Sequence, residues 1–123
     1  MSSARQAVVK YLNAFWSGDM ETARSLVAQK FSFAGPFLQV DDKDAFFASA
    51  APLRTIVRGY RLLHQWEDGE NVCSFYEFNV ETPAGRGSVQ TAEWNQVHDG
   101  RIISARLVFD TAAFRKLVPP PKS

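Results

Sequence analysis

From Ala4 to Trp16 apolar side chains return at Ala7, Val8, Tyr11, Leu12 and Phe15, a helical spacing that lays one greasy stripe along an otherwise polar segment. The pattern predicts an amphipathic helix that stops at Ser17-Gly18. Asp19 then caps a short second helix, with Glu21 in the first turn and Ala23, Leu26 and Val27 as its buried face. After Lys30 the period changes to two, so Phe31-Ser32-Phe33 reads as a short strand ended by Gly35-Pro36. Asp41 or Asp42 caps a third helix, whose Phe46, Phe47, Ala50 and Leu53 supply apolar surface up to and around the break at Pro52.

From Arg54 onward long strands alternate with turn residues. Glu67-Asp68-Gly69-Glu70 separates Ile56–Trp66 from Asn71–Glu81, Thr82-Pro83-Ala84-Gly85 separates that strand from Gly87–Val97, and His98-Asp99-Gly100 leads into Arg101–Phe109. Three short connections in succession force an antiparallel meander, because parallel neighbours need long crossovers. Asp110 caps a brief terminal helix, and Pro119-Pro120-Pro121 opens an extended tail. The expected class is therefore α+β: N-terminal helices packed on a strongly curved antiparallel sheet, in one domain over 1–118 with a Pro-rich tail over 119–123. Long strands in so small a sheet must twist, and the helices cover only part of the concave face. A pocket is the expected result.

Composition narrows the function without naming it. The chain has 123 residues, 46% of them hydrophobic, enough for one domain with a real core. Fourteen Lys and Arg against thirteen Asp and Glu leave a net charge of +1, which offers no field for nucleic acid or an anionic membrane. Cys73 is the single cysteine, so the chain needs no oxidising compartment, and no apolar run reaches the ~18 residues of a spanning helix. A cytoplasmic protein is expected. Two histidines without ligand spacing predict no metal site, and Gly85-Arg86-Gly87 lies in a hairpin and not in a phosphate-cradling turn, so no cofactor is expected.

Alternation then nominates pocket residues. Tyr60, Leu62, His64 and Trp66 share one face of the first long strand, and this aromatic-rich set is expected to point inward. In the next strand Cys73, Phe75, Glu77 and Asn79 alternate with Val72, Ser74, Tyr76 and Phe78, and neither face is plainly polar, so register decides whether Glu77 or Tyr76 faces the pocket. Gln90, Ala92, Trp94 and Gln96 share a face in the third strand, as do Ala105, Leu107 and Phe109 in the last, and Glu93 is expected to face away. With Phe15, Phe33 and Phe47, the aromatic members Tyr60, Trp66, Phe75, Trp94 and Phe109 would wall the cavity beside Leu107, and Asn79 and Gln90 would offer hydrogen bonds. Glu77, sheltered there, would have a raised pKa suited to proton transfer, His64 could orient it or shuttle a proton, and Tyr11 could set its ring in the helix stripe with its hydroxyl at the cavity end.

The run from Ala7 through Tyr11 to Gly18-Asp19, then Gly35-Pro36-Phe37, Ala92-Glu93-Trp94, Asp99-Gly100-Arg101-Ile102 and Leu107-Val108-Phe109-Asp110, resembles the nuclear transport factor 2-like superfamily in its SnoaL-like branch. The resemblance covers nearly the whole chain. It implies a cone-shaped α+β fold with a pocket for a small hydrophobic or aromatic metabolite, and a homodimer through the outer sheet face. It does not select a reaction, since the fold hosts isomerases, epoxide hydrolases, cyclases, dehydratases and binding domains. Tyr11 falls where steroid isomerases of the superfamily keep an oxyanion-donating tyrosine, but Gly35 replaces their base before Pro36, and Ala92 stands at the place matched to their second acid. The epoxide hydrolase set would fall on Glu77, Phe75 and Leu107, which keeps one carboxylate of the three positions. Two readings follow: a cofactor-independent isomerase, cyclase or dehydratase using Glu77, His64 and Tyr11, or a non-catalytic ligand-binding or dimerisation module.

Overall fold

Ser3 opens helix α1 (Ala4–Ser17) by accepting from the Gln6 N–H while the Gln6 side chain accepts from the Ser3 N–H, a reciprocal cap that satisfies two otherwise orphaned donors. Gly18 ends the helix in the left-handed region at φ 90°, where its N–H reaches the carbonyls of Ala14 and Phe15. The structure, a computed structural model, describes residues 3–120. Asp19 caps α2 (Met20–Ser25), which runs directly into strand β1 (Val27–Ala34), and β2 (Gln39–Val40) folds back on it. Asp42 caps α3 (Lys43–Ala50), and a 3-10 turn over Ala51–Thr55 carries the Pro52 break.

The meander follows as β3 (Val57–Asp68), β4 (Asn71–Thr82), β5 (Gly85–His98) and β6 (Arg101–Phe109), with Asp110 capping α4 (Thr111–Leu117). The last hairpin turns on Asp99 and Gly100, whose φ values of 50° and 76° give the double left-handed turn that matches strand twist. Residues 121–123 of the expected tail lie outside the described residues. Among the described residues no helix is long and apolar enough to cross a membrane.

The six strands make one open, mixed sheet in the order β2-β1-β6-β5-β4-β3. The meander is antiparallel as expected, but β1 runs parallel to β6. Once the hairpins have placed β6 at the free edge, β1 joins it across a connection that contains α3 and the other three long strands, the length that parallel pairing requires.

Register decides which residues face α1, and it overturns much of the simple alternation. Val72, Ser74, Tyr76, Phe78 and Val80 are the buried face of β4, and Val89, Thr91, Glu93, Asn95 and Val97 that of β5. Strand β3 carries two bulges, one before Tyr60 and one between Leu62 and His64. Tyr60 and Leu62 lie opposite Phe78 and Tyr76 on the inner face; past Leu63 the parity flips, so Gln65 turns inward opposite Ser74 while His64 and Trp66 turn outward opposite Phe75 and Cys73. A rule of period two cannot register an inserted residue.

The core is largely aromatic. Phe46 lies between Phe15, Phe31, Phe33 and Phe47 with ring centroids 4.6–5.9 Å away. Phe31 is 1% exposed and meets Phe46 edge-on at 5.3 Å, so Phe31→Ala should cost about 3–5 kcal/mol of unfolding free energy. Urea denaturation checks this, and a loss below about 1 kcal/mol would contradict the packing described.

Candidate functional site

Between α1, α3, α4 and the concave sheet lies a cavity of about 460 Å³. Its walls are mostly apolar: Leu12, Phe15 and Trp16 from α1, Phe33 from β1, Phe46 and Ala50 from α3, and Phe78, Leu107 and Phe109 from the sheet. Phe37 from the loop after β1 and Phe114 and Arg115 from α4 line it near the surface, with Phe37 49% exposed. A pocket of this size and lining suits a small, largely apolar molecule.

Its carboxyl and phenol groups are buried. Glu93 lines the cavity although it is only 3% exposed, and it is the one carboxyl that does so among the described residues. Tyr76 Oη donates to Glu93 Oε1 at 2.6 Å, and Asn95 Nδ2 donates to Oε2 at 3.1 Å. Burial raises the Glu93 pKa, because a dry site disfavours the charged form, and the two donors offset only part of this. The phenols of Tyr11 and Tyr76 are both held well above the ordinary tyrosine value, first by burial and then by the nearby Glu93 charge, so both stay protonated as donors.

Several donors and acceptors here are not saturated within the protein. Asn95 Oδ1 is buried without a partner. Thr91 Oγ1 is buried in the lining without a partner. The Trp16 indole N–H faces the Tyr76 hydroxyl closely enough to lower that phenol's pKa somewhat, yet it lacks the geometry of a full hydrogen bond. Such buried, underused groups are what a polar ligand atom would satisfy.

The residues nominated from sequence divide between the two faces. Tyr11, Phe15, Phe33, Leu107 and Phe109 line the cavity. Tyr60 faces inward but packs beside it, against Trp16 and Tyr76, with its hydroxyl bonded to Asn13. Phe47 is buried between Phe46 and the Arg24 guanidinium, away from the cavity.

The other nominees need correction. Glu77 is on the outer face, paired with Arg61 at 3.2 Å, and His64 is on the same face with its ring 4.4 Å from Trp66. Phe75, Asn79, Gln90 and Trp94 also lie on the outer side; Asn79 accepts from Ser88, and the Trp94 indole donates to Asn71. Ala92 points outward with them, whereas Glu93, expected outside, is inside. The apolar residues on both faces of β4 hide its parity, but the run Val89, Thr91, Glu93, Asn95, Val97, with β-branched residues at both ends, carries the signal that would have turned Glu93 inward. Tyr76, the alternative that register left open against Glu77, lines the cavity, and Trp16, Phe78, Phe114 and Arg115 are further lining residues that the sequence did not nominate.

With this geometry in view, the family follows. The SnoaL-like domain matches residues 8–105, and the chain belongs to that family within the nuclear transport factor 2-like superfamily. A protein of known structure from Kribbella flavida is 30% identical over 89% of this chain and 88% of its own, with a TM-score of 0.78. A nuclear transport factor 2-like protein of unknown function from Burkholderia pseudomallei superposes at 0.83, with 20% identity over 98% of this chain and all of its own. An LEH-like epoxide hydrolase from Mycobacterium tuberculosis superposes at 0.79, with 21% identity over 94% of this chain and 89% of its own. The last two show the shared fold alone. No curated protein matches the chain in sequence.

The raised pKa of Glu93 has a consequence for stability. The folded protein keeps a proton that the unfolded chain releases once pH passes the ordinary glutamate range, so the stability tied to the neutral carboxyl is complete below that range and declines as pH climbs toward the raised folded value. Glu93→Gln cannot ionise. The stability gap between the two proteins should move in the variant's favour as pH rises above the ordinary glutamate range, with a slope of at most ~1.4 kcal/mol per pH unit. Urea unfolding over that rise in pH checks it, and a gap that does not vary with pH would show Glu93 titrating as an ordinary carboxyl.

Proposed function

We propose that the protein binds a small, mainly apolar molecule bearing a carbonyl or hydroxyl group, and that Glu93 exchanges a proton with it while Tyr11 donates to its oxygen. The observation that carries this reading is a nearly unexposed carboxyl that nonetheless lines an apolar cavity, with a raised pKa and protonated phenols beside it. A carboxyl whose burial favours the protonated form holds a proton that it can give up and take back, and a phenol donor in a dry site favours an oxygen that gains negative charge. The reaction class is cofactor-independent isomerisation, cyclisation or dehydration, with Glu93 in the role first expected of Glu77 and His64. Both of those lie across the sheet from the cavity.

The outer face is assigned a second copy of the chain. Trp66, Trp94 and Val108 are 55%, 42% and 67% exposed on it, and a shallow apolar groove lined by Cys73, Ala92, Trp94 and Val108 runs between them. A homodimer through this face leaves both cavities open on the other side. Light scattering at micromolar concentration should give twice the mass of the 13.8 kDa chain, and Trp94→Asp should give the monomer mass. A monomer in both proteins removes this assignment.

The elementary step is tested with 2-tetralone, a bicyclic ketone with exchangeable α-protons. In deuterated buffer, NMR should show the native protein speeding α-proton exchange, with Glu93→Gln reducing that acceleration about 100-fold and Tyr11→Phe about 10-fold. Binding of the ketone without any acceleration would favour a non-catalytic binding module. Absence of binding would remove the cavity from consideration as a ligand site for this class.

A further inference from the structure

The surface end of the cavity carries a charge that the proposed chemistry does not use. Arg115, in the last turn of α4, is the single cationic side chain among the described lining residues. Its guanidinium lies 3.9 Å from the centroid of the Phe37 ring and 5.8 Å from that of Phe114, and one N–H of Nη1 donates to the Val118 carbonyl at 3.2 Å. No ion pair to a carboxylate is formed by Arg115 among the described residues, while five other pairs hold arginines and a histidine elsewhere. The acid that shares its cavity, Glu93, is only 3% exposed.

Place in the fold explains part of this. A cation suits the C-terminal end of a helix, and a flat guanidinium covers the rings of Phe37 and Phe114. Neither role employs the remaining N–H groups, and contact with the Phe37 ring keeps the guanidinium at the cavity lining. A planar, preorganised fork of donors is the arrangement that receives a carboxylate, sulfonate or ionised phenol in two-point contact. An anion near Glu93 would be opposed by that acid and by the lack of any cation at the inner end. The cavity is thus polarised along its length, with a cation at the entrance, aromatic walls, and a neutral-leaning carboxyl with phenols at the floor.

We infer that the ligand is an aromatic or alicyclic acid: its anionic group is held by Arg115 at the entrance, and its carbonyl or hydroxyl end is presented to Glu93 and Tyr11. This rests on the cavity being a ligand site, as proposed above, and adds the substituent that fixes which end enters first. Arg115 is a positioning residue, since it touches the ligand away from the reacting atoms.

Two probes with the same carbon frame isolate the charge. 1-Anilinonaphthalene-8-sulfonate carries one anionic group, and N-phenyl-1-naphthylamine lacks it. Titration by fluorescence should show the native protein binding the sulfonate about ten-fold more tightly than the neutral amine, with 2-tetralone displacing both. Arg115→Met keeps a long apolar stem over Phe37 and should weaken the sulfonate about ten-fold while leaving the neutral amine within two-fold. Raised salt should reproduce part of that loss in the native protein and none of it in the variant. Equal affinity for the two probes in the native protein, or an unchanged sulfonate affinity in Arg115→Met, overturns the inference while leaving the cavity reading intact. Failure of both probes to bind overturns the two together, and a sulfonate that 2-tetralone cannot displace is bound elsewhere and also counts against it.

Discussion

The last two turns of α1 rest on the concave sheet through aromatic rings, and the shape of the interior follows from that seat. Trp16 stacks on Phe78 with centroids 4.6 Å apart and planes within 13°, and it leans on Tyr76 at 5.8 Å. Broad, rigid rings hold the helix off the strands where small side chains would have let it sink. Phe15 extends the same contact toward Phe46 on α3, so two helices are propped against the sheet at one end. The space left between them is the cavity, bounded by the groups that keep it from collapsing.

The same contact arranges the chemistry. Tyr76, pressed under Trp16, has its hydroxyl delivered to Glu93, and Asn95 completes the grip on the other carboxyl oxygen. Tyr11, one turn before Phe15 on the buried stripe of the same helix, is close enough to the same acid to feel its charge. Burial disfavours the charge on Glu93, and that charge in turn disfavours ionisation of both phenols, so the three groups oppose one another's ionisation. Membership of the SnoaL-like family agrees with this architecture and leaves the reaction open, because relatives of the same fold share a scaffold and differ in the few polar groups placed inside it.

The two faces of the sheet differ in what covers them. The inner face lies beneath α1 and lines the cavity, and the outer face keeps Trp66 and Trp94 exposed; the β3 bulge sends Gln65 inward and His64 and Trp66 outward. One inserted residue therefore moves an imidazole from one face to the other. At the other end of the sheet, α4 returns over the opening and contributes Phe114 and Arg115, tied down by the Thr82 hydroxyl donating to the Leu117 carbonyl at 2.6 Å.

Local patterns alone were enough for the helices, the four long strands, the helix caps at Asp19 and Asp110, the hairpin turns and the α+β class, because each is set by neighbours a few residues apart in the chain; they left Asp41 and Asp42 as alternative caps, missed the two-residue β2 and put Val27 in α2, where it begins β1. They also placed Tyr11 and Phe15 correctly on the buried stripe, since a helix repeats without interruption over its length. The parity of the strands was another matter: β4 is apolar on both faces, and β3 inserts residues that alternation cannot see. Only the folded sheet decided that Glu93 lies inside and Glu77 outside, because hydrogen-bond register between strands distant in sequence, and the burial of one face beneath α1, select between two sets that look alike along the chain.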